Sequence, residues 1–310
     1  MAHGQRHFPF EPLPEGEVTP WPGQGDRQGL FERDIEIIRW FIEEREGRTI
    51  KSSPLGDLLD AYKGADLNAP SKTIESIPTD TALFLLHASA HFMRLAWAIL
   101  ALCGRGSLEQ VDASFITDEL LGEDSKERNI ARKLPGGIGT LVFAGRLVQA
   151  GGGRLRISGR KVVGYDIRWR TAGGDTVLVE RKDRSYEAGL ADTAKKRATR
   201  VIEEVNRAHI PVEPGAARIL VVGFQHLVKQ DEMETVDPAY QHALETAFPE
   251  DARAGLPHMV VVEHLGMEPR TGGEKSNFFS PQSLNWEVPL MDRVGLLLVR
   301  AIGAEKHLRD

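Results

Sequence analysis

Hydrophobic residues recur along this chain with two different spacings, and the change falls near residue 150. In the first half the spacing is helical. Gln28 to Glu46 places Leu30, Phe31, Ile35, Ile37, Ile38, Phe41 and Ile42 mostly along one stripe, which predicts an amphipathic helix ending near Gly47. A short helix is expected at Leu55–Tyr62, within the proline-punctuated stretch 48–77. Thr79 to Cys103 is apolar nearly all round and predicts a buried central helix. Its most apolar part, Ala82–Cys103, contains His87, His91 and Arg94, so burial within protein is expected rather than a membrane span. Ser107 to Leu121 predicts a helix capped by Ser107. Asp124 to Leu134 begins another, with Asp124 as cap and Glu127 at its third helical position. The run Gly136-Gly137-Ile138-Gly139 should end that helix before an apolar one at Leu141–Ala150. No strand precedes these glycines and no Lys-Ser/Thr follows them, so they read as a turn rather than a phosphate loop.

From Gly151 the alternation becomes that of strands, expected at Arg154–Ser158, Lys161–Arg170 and Thr176–Lys182. A long helix at about Tyr186–Ala208 and a buried strand at Ala217–Phe224 follow. The remainder predicts a helix at Thr235–Phe248, a strand at His258–His264, a polar loop over 266–285 and a closing helix at Pro289–Ile302. The first residues are rich in proline and glycine, with no signal-peptide core. The expected organisation is an extended arm at 1–27, a helical region at 28–105 and an α/β core with C-terminal additions at 106–310.

Within the core, Gly164–Lys182 (GYDIRWRTAGGDTVLVERK) reads as a hairpin whose register can be worked out. A three-residue Ala172-Gly173-Gly174 loop sets Thr171 against Asp175, Ile167 against Val179 and Trp169 against Val177, a paired apolar surface. In that register Asp166 lies opposite Glu180, and Lys182 lies opposite Gly164. Both acids and the lysine then share one face. Two neighbouring carboxylates repel unless a cation lies between them, and hard oxygen donors favour Mg²⁺ or Mn²⁺. Such an ion polarises a phosphoryl oxygen and acidifies bound water, and a lysine can orient that water or offset developing charge. The same residues would also fit an exposed hairpin with a salt-bridged end.

Charge distribution changes this picture, whereas total charge does not. The chain is −6, yet residues 151–210 carry 14 Lys/Arg against 8 Asp/Glu, a +6 island in a remainder of −12. That suits a local polyanion contact. Arg168 and Arg170 on the acid face, with Lys195, Lys196 and Arg200 on the following helix, are the candidates for touching a nucleic-acid backbone. The acidic remainder or the N-terminal helices could instead dock a protein partner. His87 and His91 are four apart but have no evident third ligand, so packing or surface positions are their expected roles. A single cysteine, Cys103, excludes an internal disulfide and a four-cysteine zinc site, and suits a reducing, cytoplasmic setting.

The segment from about 107 to 224 resembles the PD-(D/E)XK (restriction-endonuclease-like) nuclease superfamily, on Asp166 and Glu180-Arg181-Lys182. Tyr165 stands where that signature has its proline. The resemblance implies an αβββαβ core and a metal held by Asp166 and Glu180, with Lys182 serving the water. A further glutamate on the first core helix is implied too, with Glu127 the candidate and Glu119 second. It implies Mg²⁺- or Mn²⁺-dependent hydrolysis of DNA, in the role of a defence or DNA-processing effector. An RNA nuclease on the same fold, or a non-catalytic binding or assembly subunit, are the other readings.

Overall fold

The stripe over 28–46 forms a helix, α1 (Arg27–Arg39), that widens into a π-helical turn at Trp40–Arg45. Ile37, Ile38, Phe41 and Ile42 from it are fully buried, and Gly47 breaks the chain away at φ 65°. The computed structural model describes residues 7–16, 27–51, 53–63, 92–122, 130–159, 164–184, 194–228, 230–267, 275–283 and 289–302. The protein is mixed α/β and divides into two units, Met1–Ile157 and Ser158–Asp310. This division falls inside the expected 106–310 core.

In the first unit, α2 (Pro54–Lys63) begins at Ser53, whose Oγ accepts the Gly56 N–H at 3.0 Å, as an N-cap does. Helix α3 covers residues 92–103, the described part of the expected helix 79–103, and nearly every side chain on it is buried. His87 and His91 lie outside the described residues. The arm residues 7–16 run extended against this unit. Phe8 and Phe10 meet the Trp40 ring edge-on at 5.1 and 5.9 Å, and the Arg105 guanidinium donates to the Leu13 carbonyl.

Two expectations fail here, for stated reasons. Ser107–Leu121 is not one helix: Leu108–Val111 is a strand, β1, parallel to β2 (Arg154–Ile157), and only Phe115–Leu121 is helical, as a π-helix. Ser107 caps no helix; its carbonyl accepts the Leu155 N–H at 2.9 Å. Strand pairing outweighs the local helix preference of four residues. Likewise Gly136–Gly139 is no break, because α4 runs unbroken from Ile130 to Gly151. The glycines serve close packing instead. A Cβ at Gly137 would lie 2.9 Å from the Glu119 carbonyl oxygen, and one at Gly145 would lie 3.0 Å from the Trp97 ring.

In the second unit five strands pair in chain order: β3 (Ile167–Arg170), β4 (Thr176–Arg184), β5 (Ala216–Val228), β6 (Met259–Met267) and β7 (Lys275–Ser283). Pairs β3/β4 and β6/β7 are antiparallel, while β4, β5 and β6 are mutually parallel. Parallel neighbours need crossovers. These are α5 (Ala194–Arg207) between β4 and β5, and α6 (Gln230–Ala247) between β5 and β6. Ala198, Val201 and Val205 of α5 and Tyr240 and Leu244 of α6 pack with Leu178, Leu220, Val222, Val260 and Val262 in one core. The closing helix α7 (Pro289–Ile302) contacts β5 and adds no residue to that core, so it covers the opposite sheet face. The stretch 266–285 was expected to be a loop, but it contributes β7. An edge strand bonds a neighbour on one side only, and so accommodates Pro281 opposite Val261.

Candidate active site on the β3–β4 hairpin

The hairpin has the three-residue loop. Ile167 pairs with Val179, Arg168 with Leu178, Trp169 with Val177 and Arg170 with Thr176. Thr171 N–H donates to the Asp175 carbonyl at 2.9 Å, and Gly174 supplies the turn's positive φ of 90°. Alternation from these pairs puts Arg168, Arg170, Glu180 and Lys182 on one side. The pairs stop at Ile167, so the expected pairing of Asp166 with Glu180 is not formed. That side is not open, however. Leu178 lies on it too, fully buried under α5 and α6, so both faces of the hairpin have a core beneath them.

Beyond Ile167 the ladder gives way to side chains. Continued pairing would send the Arg181 N–H to the Tyr165 carbonyl. It goes instead to Asp166 Oδ2 at 2.6 Å, while the Asp166 N–H donates to the Val179 carbonyl at 2.8 Å. The Asp166 carboxylate is thereby tied to the strand that carries Glu180. Lys182 does not face Gly164 across a ladder pair. Gly164, at φ 74°, turns to the segment after α5, where a Cβ on it would lie 2.7 Å from the His209 carbonyl oxygen. This approach sets the His209 N–H 3.1 Å from Glu180 Oε2, to which it donates, and the Lys182 ammonium is ion-paired with Glu180 Oε1. Asp166 and Glu180 are each 7% exposed. Buried carboxylates need such donors.

The basic candidates are distributed unevenly. Arg168 donates to Glu213 Oε1 at 2.8 Å, and its hydrogen bond with Tyr165, helped by Glu213, holds its pKa above the ordinary value. Arg170 is exposed at the loop end of β3, and Arg293 pairs there with Asp175 at 2.8 Å. Lys195 and Lys196 are exposed in the first turn of α5. Arg200 is ion-paired with Glu203 one turn on. Glu127 lies outside the described residues, and Glu119 sits in the π-helical turn of the first unit.

Two partners had no signal in the sequence: the His209 backbone and Glu213, both on the segment after α5. A third feature had one. Arg181, Asp183 and Glu263 occupy positions whose alternation points to the opposite, apolar side of the sheet, beside Ile219, Val221 and Val261. Charged residues in phase with a buried stripe are the pattern that finds such a network.

Among the described residues, no group of three or more His, Cys, Asp or Glu is placed to hold a metal ion. The donor set at the hairpin is therefore two carboxylates. Mg²⁺ keeps much of its water and is commonly held by one or two carboxylates together with substrate phosphates; here Asp166 Oδ2 accepts the Arg181 N–H, and Glu180 Oε2 and Oε1 meet the His209 N–H and Lys182. No helix among the described residues is long and apolar enough to cross a membrane. Comparison of the chain with protein-family models, with curated proteins and with solved structures gives no match.

Proposed function

We propose that the protein is a metal-dependent nuclease of the PD-(D/E)XK (restriction-endonuclease-like) kind, hydrolysing DNA phosphodiester bonds at the β3–β4 hairpin. The observation that carries this reading is the tie between Asp166 and the strand bearing Glu180 and Lys182, made through the Arg181 N–H. The element order supports it. Helix α4, strands β2, β3 and β4, helix α5 and strand β5 follow one another, with β5 parallel to the second hairpin strand.

In this reading Asp166 and Glu180 hold one divalent cation, which when bound polarises the phosphate and acidifies a water. Glu180 is kept in place by the His209 N–H. The Lys182 ammonium, bonded to Glu180, is placed to orient the attacking water or to offset charge developing on the phosphate. Arg168, Arg170, Lys195 and Lys196 supply positive charge for the nucleic-acid backbone.

The test is digestion of DNA and RNA oligonucleotides, in parallel, with Mg²⁺ or Mn²⁺. Cleavage of DNA is expected in the wild type and its loss in folded Glu180→Ala and Lys182→Ala proteins. Full activity in both variants refutes the site, and cleavage of RNA alone changes the substrate.

A further inference from the structure

On the sheet face away from Glu180 and Lys182 lies a buried ionic network. Arg181 donates from Nε to Asp183 Oδ2 at 2.8 Å and from Nη2 to Asp183 Oδ1 at 2.7 Å, a bidentate pair. The same Nη2 reaches Glu263 Oε2 at 2.6 Å, so one guanidinium spans from β4 to β6. Burial works against its charge, but Asp183 and Glu263 hold its pKa above the ordinary arginine value. The register explains the span: Asp183, Gly223 and Glu263 form one row across three parallel strands. Gly223 leaves the middle of that row open. A Cβ there would lie 2.4 Å from Asp183 Oδ1 and 2.7 Å from Arg181 Nη2.

A buried ion network of this kind is seldom a net source of stability compared with apolar packing; what it fixes is geometry. The geometry fixed here is that of Arg181, whose backbone N–H holds the Asp166 carboxylate and whose two sequence neighbours are Glu180 and Lys182. We infer that the Arg181–Asp183–Glu263 network, admitted by Gly223, is a positioning device for the Asp166 and Glu180 carboxylates of the proposed metal site. It locks the phase of β4 so that the Arg181 N–H presents itself to Asp166 while Glu180 and Lys182 point to the site. The inference rests on the proposed metal site, but not on the identity of the substrate.

The experiment uses two variants that leave the acid face untouched, Gly223→Ala and Glu263→Gln. Amide hydrogen exchange in the metal-free protein reads the Arg181 N–H directly. It is expected to exchange about 10-fold faster in both variants, as one weakened charge-assisted bond implies, with the Val179 and Val221 amides unchanged. Mn²⁺ binding, followed by its paramagnetic resonance, should weaken by about 10-fold or more, the usual cost of losing an outer support of a metal ligand. Asp166→Asn should speed the same amide with the network intact. An unchanged Arg181 amide, or equal acceleration of all amides in β4 to β6, overturns the inference in favour of a merely structural network. Wild-type protein that binds Mn²⁺ but cuts no nucleic acid refutes the nuclease reading alone. Wild-type protein that binds no Mn²⁺ refutes both.

Discussion

Replacing Gly164 by alanine tests the geometry that holds Glu180. Two costs are separable. An L-residue at φ 74° has left-handed strain of about 1–2 kcal/mol. The added Cβ would also lie 2.7 Å from the His209 carbonyl oxygen, a backbone atom, so the segment must move. Its movement withdraws the His209 N–H from Glu180 Oε2, a hydrogen bond to a charged acceptor worth about 1.5–3 kcal/mol. Gly174→Ala is the matched control, because Gly174 has φ 90° and no atom within 4 Å of its Cβ position. Urea denaturation with a common m-value should therefore show a loss of about 1–2 kcal/mol for Gly174→Ala and about 2.5–5 kcal/mol for Gly164→Ala. Only Gly164→Ala should weaken Mn²⁺ binding. Equal destabilisation of the two variants would refute the claimed approach of His209 to the hairpin, and with it the account of how Glu180 is oriented.

Two further measurements probe buried and half-buried groups away from the hairpin. His258 accepts the Arg218 N–H through Nδ1 at 3.2 Å, and burial, with the Arg218 charge nearby, pushes its pKa down to about 4. The unfolded chain binds a proton there that the folded one refuses, so stability should fall as pH drops from 6.5 towards 4. Burial instead raises Asp34 to about 7, so its contribution is lost as pH rises from 3.8 to about 7. Thermal melts across pH should show His258→Gln flattening the acid limb, and Asp34→Asn gaining stability over the wild type at pH above about 7. Burial pushes the Cys103 thiol up to about 12, so the native protein should not react with a disulfide reagent at pH about 8, whereas the denatured chain should release one equivalent.

Much of the fold was legible because alternation and helical spacing report which positions are buried. The closing helix, the strands β4, β5 and β6, and α1 with its glycine stop follow from that rule. So does the hairpin register, since only a three-residue loop pairs Ile167 with Val179 and Trp169 with Val177. The misread segments share a cause. Leu108–Val111 is short and pairs with a strand some 47 residues on, while Lys275–Ser283 is polar and pairs back on the strand before it, so neither shows a buried alternation of its own. The Gly136–Gly139 run reads as punctuation in sequence because a glycine that breaks a helix looks the same as one that admits a neighbouring backbone.

The site divides along the same line. Residue order alone determined that Glu180 and Lys182 lie on one side of their strand, with Asp166 near the end of its neighbour, because strand alternation is a property of the covalent chain. Only the tertiary structure decided what each carboxylate touches. Asp166 turns to the Arg181 N–H where the ladder ends, Glu180 takes the His209 N–H, and Arg181 reaches Glu263 across Gly223. The last two partners come from segments outside the hairpin. Their meeting depends on crossover helices and on close approaches that a periodic pattern does not encode.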